Sequence, residues 1–405
     1  MNGTEAAPAV PGPASDSVES FDAGGLRVEW EALPWARSIG AALVVGCGSR
    51  DDPAGREGTA HLAEHLQVLA DPSADGPDGP DGPDGSDDLG GIPLDAVTGI
   101  DRTTFRGTGD PDDPGRLVRR LLGIASGHRP RTTPDVFEGE RNAVLLETRR
   151  MDHRPVLRLG PVLAAAAADE PGLDAIGRTT TRSVGRITPT DVHGVVERGY
   201  SGANARLFLA GPPDAADGVR AALDRHRPAG GPSRASGGAV AVPDGLREHG
   251  DLDGLHGLDG LVAVTLLRPR GTPSLALDAL LDGRGPIVGH LAGDGLRPLG
   301  RTTVEGRAER VDMVVWRAAD LAAPLERHLA QLLADDWRTS LAALTSRLRS
   351  AREAARQWQL ATPLGRVGDA ADRCTFPGPR CGGQRIALWR VTDGTPECLA
   401  RHPLS

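Results

Sequence analysis

The sequence predicts an α+β fold of two homologous domains, each a mostly antiparallel sheet packed against helices. Three observations carry this. The chain has 405 residues, enough for two or three domains. Short β-rich apolar runs alternate with longer stretches of helical periodicity. A Gly/Pro/Ser-rich stretch from about Pro228 to Gly238 divides the chain, and the order of elements recurs beyond it.

Residues 1–20 contain no Lys or Arg and no long apolar run, so they predict a short tail rather than a signal peptide. The first domain is expected over residues 21–228. Leu26 to Trp30 and Ile39 to Val45 read as strands, and Gly58 to Leu69 as a helix. Asp75 to Asp88, DGPDGPDGPDGSDD, cannot pack a core and predicts an extended acidic loop. Gly90 and Gly91 lead into a strand-like stretch, Val97 to Thr108. Helices are expected over Arg116 to Ser126, Val136 to Arg150 and Pro189 to Arg198, before a closing strand, Ala205 to Ala210.

A linker is expected over residues 229–245, and a second domain over 246–405. It opens with a strand at Leu261 to Leu267, a helix over Ser274 to Leu281 and strand-like segments within Arg301 to Trp316. Helices over Leu321 to Leu333 and Ser340 to Gln359 follow. RVTDGTPECLARHPL, from Arg390, echoes RITPTDVHGVVERGY, from Arg186, as a threonine-led entry into a helix. On that reading the second copy is shortened at its C-terminal edge. The segment Asp251 to Asp259 mimics a calcium loop but lacks its closing glutamate, and reads as a plain loop.

Composition narrows the function. All 46 basic residues are arginine, and the net charge of -9 argues against nucleic acid, whose phosphates demand a basic face. No run of about 20 apolar residues is present, so no membrane span is expected, and the chain reads as cytoplasmic. The four cysteines lack the CxxC spacing of a zinc knot.

The chemistry concentrates in Gly58-Thr-Ala-His61-Leu-Ala-Glu64-His65. On a helix, residues four apart share a face, so His61 and His65 can offer two imidazoles to one metal ion. Glu64 points to the same side. This is HxxEH, the inverse of the HExxH zinc signature. A catalytic zinc takes three protein ligands and keeps one open position. Glu140 and Glu147, two helical turns apart on a segment with apolar residues between them, are candidates to complete the set.

These residues resemble the insulinase (pitrilysin-like) zinc peptidases, a family that includes mitochondrial processing peptidase. Gly46-Cys-Gly-Ser49-Arg50 before the HxxEH helix is similar to the family's strand ending in Gly-Ser-Arg. Gly90-Gly91 with Asp95-Ala96-Val-Thr98 is similar to its Gly-Gly...Asn-Ala-x-Thr strand, with aspartate for asparagine. Glu140-Arg-Asn-Ala-Val-Leu-Leu-Glu147 and Tyr200-Ser-Gly-Ala-Asn204 match two further segments, in family order. The His65 to Glu147 spacing exceeds the family norm by a few residues, which the acidic loop supplies.

The resemblance implies one Zn2+ per chain, held by His61, His65 and Glu147. It implies Glu64 as general base and Glu140 as the acid that orients a histidine. It places Asp95, Ala96 and Thr98 against an extended peptide substrate added to an edge strand. With zinc acidifying water and polarising the peptide carbonyl, Glu64 would take a proton and return it to the leaving amine.

One part of the family pattern is missing. Family members carry an oxyanion-stabilising Arg and Tyr in the later domain. Here the comparable stretch, His290 to Pro298, has Leu291 and Pro298 at those places. The chain's single tyrosine, Tyr200, lies in the first half. The resemblance therefore implies a heterodimer whose related partner lacks HxxEH and supplies Arg and Tyr. A homodimer with altered oxyanion stabilisation and a non-catalytic scaffold subunit are the alternatives. Cleavage of short or unfolded peptides, such as leader removal from a ribosomally made product, is the expected task.

Overall fold

The computed structural model describes residues 18–69, 92–152, 154–168, 172–226, 228, 261–270, 275–282, 285–293, 298–306, 309–317, 322–334, 341–374, 383–392 and 395–404. Most of the tail, the acidic loop at 75–88, Gly90 and Gly91, the linker at 229–245, Asp251 to Asp259 and residues 294–297 of the His290 to Pro298 stretch lie outside them.

The first sheet grows around a strand with no polar side chain. β3 (Ile39–Val45) is buried at every residue and takes the centre. Its companions are β1 (Val18–Ala23), β2 (Leu26–Ala32), β4 (Leu94–Thr98), β5 (Thr103–Gly109) and β6 (Ala205–Gly211), in the order β1-β2-β6-β3-β5-β4. Only β2 and β6 run parallel. The stretch read as one strand, Val97 to Thr108, is thus two strands folded back at Gly99 to Arg102. One face of this sheet is covered by α1 (Thr59–Leu69), α2 (Pro114–Ala125), α3 (Pro134–Asp152), α6 (Pro189–Gly199) and α7 (Ala216–Arg225). Helix α4 (Pro155–Ala167) and the one-turn α5 (Thr181–Val184) lie between α3 and α6 in the chain.

The second sheet contains β7 (Leu261–Pro269), β8 (Gly300–Glu305), β9 (Glu309–Arg317), β10 (Arg385–Thr392) and β11 (Thr395–Pro403). It is antiparallel throughout, in the order β11-β10-β7-β9-β8. Its helices are α8 (Leu275–Leu280), α9 (Val288–Gly293), α10 (Ala322–Ala334), α11 (Ala342–Gln359) and α12 (Pro363–Arg373). The run β6-β3-β5-β4 and the run β10-β7-β9-β8 have the same strand order and directions.

The expected helix entry after Arg390 is instead a strand hairpin, with Thr392 opposite Thr395. The physical reason is visible in the residues. Ile386 and Leu388 enter one core while Ala387, Trp389 and Val391 enter another, so β10 is buried on both faces. Such a strand reads as a continuous apolar run without alternation, and Asp393-Gly394 is a two-residue hairpin signal. β10 stands beside β7 as β6 stands beside β3, so the second half does have its own closing strand.

The two halves exchange helices. From α4, Leu159, Leu163, Ala164 and Ala167 pack on Leu261, Ala263, Met313 and Trp389 of the second sheet. From α12, Val367 and Ala371 pack on Ala42, Val44, Phe208 and Ala210 of the first. Polar contacts reinforce the seam: Arg102 donates to the carbonyls of Ala371 (3.1 Å) and Cys374 (2.8 Å). Among the described residues, no helix is long and apolar enough to cross a membrane.

Candidate metal centre

Helix α1 is aimed by what precedes it. Asp52 accepts hydrogen bonds from the backbone N–H of Gly58 (2.7 Å) and Ala60 (2.6 Å), which satisfies donors that a helix N-terminus leaves unpaired. Burial pushes the Asp52 carboxyl up to about 7, against the pull of those two amides. Gly58 turns at φ +100, and a Cβ there would meet Val184 at 2.9 Å, so glycine is required. The Gly-Ser-Arg segment has a comparable constraint. Ser49 and Arg50 donate backbone N–H groups to the carbonyls of Gly99 and Ile100, in the β4–β5 turn. A Cβ on Gly48 would lie 2.6 Å from that turn's backbone. The base of the helix and the end of β4 are therefore locked together.

Along α1, Leu62, Ala63 and Leu66 are buried in the core, which leaves His61 and His65 turned toward α3. Their rings meet edge to face at 4.9 Å. Helix α3 is held by buried Phe137 and Val144, and it presents Glu140 and Glu147 to the two imidazoles. Glu147 Oε2 lies 3.3 Å from His61 Nε2 and 3.8 Å from His65 Nε2. Glu140 Oε2 lies 2.9 Å from His65 Nδ1. A proton on that Nδ1 leaves the Nε2 lone pair facing Glu147.

One ligand atom from each of His61, His65 and Glu147 falls within 4.8 Å of the others, and among the described residues they form the one such group. Zinc with N and O ligands at 2.0–2.2 Å in tetrahedral geometry needs its donors about 3.4 Å apart. The observed 3.3 and 3.8 Å fit that requirement with little movement. The donor set, two imidazoles and a carboxylate, is also that of known catalytic zinc sites. Burial alone would lower the His61 pKa, but the Glu147 hydrogen bond and the nearby Glu64 and Asp52 charges raise it overall. The same hydrogen bond holds Glu147 below the usual carboxylate range.

Glu64 is 7% exposed and accepts a hydrogen bond from Thr98 Oγ1 at 2.6 Å. Thr98 closes β4, the edge strand of the sheet. Strand alternation puts Ala96 on the same side as Thr98, while Asp95 and Val97 are exposed on the other. Asp95 is paired in register with Arg106. Tyr200 is 3% exposed, packed edge-on against Phe105 in the core between the first sheet and its helices, and burial raises its phenol pKa well above the usual value. Asn204 is also buried, and its amide donates to the carbonyls of Gly46 and Gly199. Asp52 was missed from sequence, because it lies six residues before Gly58, outside the spacing of a local helix cap. In the second half, between α8 and the second sheet, Arg268 binds Asp278 at 2.8 Å and Asp312 at 2.9 Å.

Comparison with known proteins agrees with this geometry. Residues 27–176 match the family model described as insulinase (peptidase family M16). An uncharacterised zinc protease of Mycobacterium leprae is 33% identical over 193 residues, 47% of this chain and 42% of that protein. The chain thus spans less than half the length of the curated relatives it matches. A protease from Helicobacter pylori superposes with a TM-score of 0.62 at 17% identity, covering 88% of each chain. A chain of complex III2 from Candida albicans gives 0.62 at 12% identity, over 88% of this chain and 85% of that one. At these identities the structural likeness speaks for the fold, whereas the sequence match spans α1 and both α3 glutamates. By that match, residues 27–176 are similar to the insulinase family, peptidase family M16.

Proposed function

We propose that this chain is the zinc-bearing subunit of an endopeptidase acting on short or unfolded peptides. The observation that carries the reading is the convergence of His61, His65 and Glu147, with buried Glu64 beside them on α1. His61 Nε2, His65 Nε2 and Glu147 Oε2 are the atoms that would hold one Zn2+. Zinc bound there supplies a Lewis acid and a water acidic enough to give up a proton near neutral pH. Glu64 would be the residue that takes up a proton beside that site and delivers it to the leaving amine. Glu140 keeps the His65 ring in the tautomer that leaves Nε2 free. The open edge of β4 suits an extended peptide added as a strand, and Ala96 lies along that edge.

The partner is proposed to be a related subunit that brings an Arg and a Tyr for the oxyanion. The support is that Tyr200, the chain's single tyrosine, is buried in the core of the first half. Leader removal from a ribosomally made peptide is one reaction of this class. The shared strand order of the two halves supports their descent from one domain. The fold alone also suits a scaffold subunit, and the complex III2 likeness favours that second reading.

One experiment separates the two. Zinc content and cleavage of an unfolded peptide are measured for wild type and Glu64→Gln, each alone and with the candidate partner. The peptidase reading expects bound zinc in both proteins and a 10²–10⁴-fold loss of cleavage in the variant. Equal cleavage by both, or no zinc at all, sinks it. Robust cleavage by the isolated chain removes the need for a heterodimer.

A further inference from the structure

The carboxylate of Glu64 is held from outside its own helix. Thr98 Oγ1 donates to Glu64 Oε2 at 2.6 Å. Thr98 faces Thr103 across the β4–β5 pair, with their hydroxyls 3.4 Å apart. Thr103 Oγ1 in turn donates to the Cys47 carbonyl at 2.9 Å, at the end of the strand that leads into the site. A hydroxyl carries one proton. The Thr103 proton is committed to Cys47, and the Thr98 proton to Glu64. Thr98 therefore has none left to donate to an incoming peptide. Among the described residues, Glu64 Oε1 has no hydrogen bond.

We infer that Thr98 is a positioning residue for Glu64 rather than a substrate contact. It fixes Oε2, leaves Oε1 as the oxygen that exchanges a proton, and ties the carboxylate to the edge strand. A glutamate carboxylate that loses its donor at a nearly closed site turns toward whatever donor remains, and misplacement by about 1 Å can cost 10²-fold in rate. The inference rests on Glu64 being the base of the proposed peptidase.

The test uses Thr98→Val, which removes the hydroxyl at nearly constant volume, Thr98→Ser, which keeps it, Glu64→Ala and the double variant Thr98→Val/Glu64→Ala. Thermal unfolding gives a readout independent of activity. If Thr98 holds Glu64, the midpoint shift of the double variant is smaller than the sum of the single shifts. In peptide cleavage with zinc and the partner present, Thr98→Val is expected to lower kcat by about 10- to 100-fold. KM stays within twofold, zinc content stays unchanged, and Thr98→Ser restores most of the rate. Additive midpoint shifts, or a raised KM at unchanged kcat, overturn the inference and return Thr98 to the substrate. A wild-type chain that cleaves nothing sinks the peptidase reading instead, and the unfolding cycle then decides whether Thr98 holds Glu64.

Discussion

Glu140 and Glu147 share one helix face, yet they reach different nitrogens: Glu140 meets His65 Nδ1, and Glu147 meets the two Nε2 atoms. Their substitutions should therefore separate. Glu147→Gln removes a donor and should abolish stoichiometric zinc. Glu140→Gln leaves the donors in place and should weaken zinc by about 10- to 100-fold, read by competition with a chromogenic chelator. Asp52 gives a pH prediction. Its folded pKa of about 7 lies above the usual 3.8, so the folded state binds a proton that the unfolded state has released. Stability from this group is present below pH 4 and is lost as pH rises toward 7. Asp52→Asn should be less stable throughout, because its amide oxygen can serve only one of the two N–H groups well. It should also lose less of its midpoint between pH 4.5 and 7.5 than wild type, as measured by circular dichroism.

Among the elements, α1 and α3 would be cross-linked by a metal, so zinc at 1,000 times its Kd should add about 4 kcal/mol of stability. Excess chelator should lower the melting temperature of wild type and leave that of His61→Ala unmoved. In the second half, Arg268 is 4% exposed between Asp278 and Asp312. Burial would raise Asp312, but Arg310 and Arg268 outweigh it and hold its pKa below the usual value. Arg268→Met leaves Asp278 to Arg352 and Asp312 to Arg310, and the loss of its charged hydrogen bond should cost about 1.5–3 kcal/mol in denaturant unfolding. The same contrast shows what the residues made legible. His61, Glu64 and His65 form a local pattern with a helical period, and α1 follows from it directly. Glu140 and Glu147 stood out by their two-turn spacing, but which of them ligates needed the family resemblance, because nothing local ties α3 to α1. Helices α4 and α12 were missed because their apolar residues, Leu159 and Leu163, Val367 and Ala371, match the sheet of the other half. The Thr98 contact was unreadable for a simpler reason: 34 residues separate it from Glu64, and only the folded β4–β5 pair brings them together.

For the whole molecule, the helix exchange makes each half a structural part of the other. A chain cut after residue 228 would bare Ala42, Val44, Phe208 and Ala210, and would leave α4 without the sheet it covers. Such a fragment should bind a hydrophobic dye and fail to show a sharp melting transition, while the full chain melts in one step by calorimetry. Arg102 adds to the coupling, since it reaches from the β4–β5 turn to the carbonyls that end α12. The exchange also sets an order in time. As the chain leaves the ribosome, β3 and α1 emerge well before Pro363. At about 5–20 residues per second, the interval from Gly211 to Pro363 lasts on the order of 10 s. During it the outer face of the first sheet has no cover of its own. A nascent chain of this design carries that uncovered apolar face, with all three metal-site residues already synthesised, until α12 arrives.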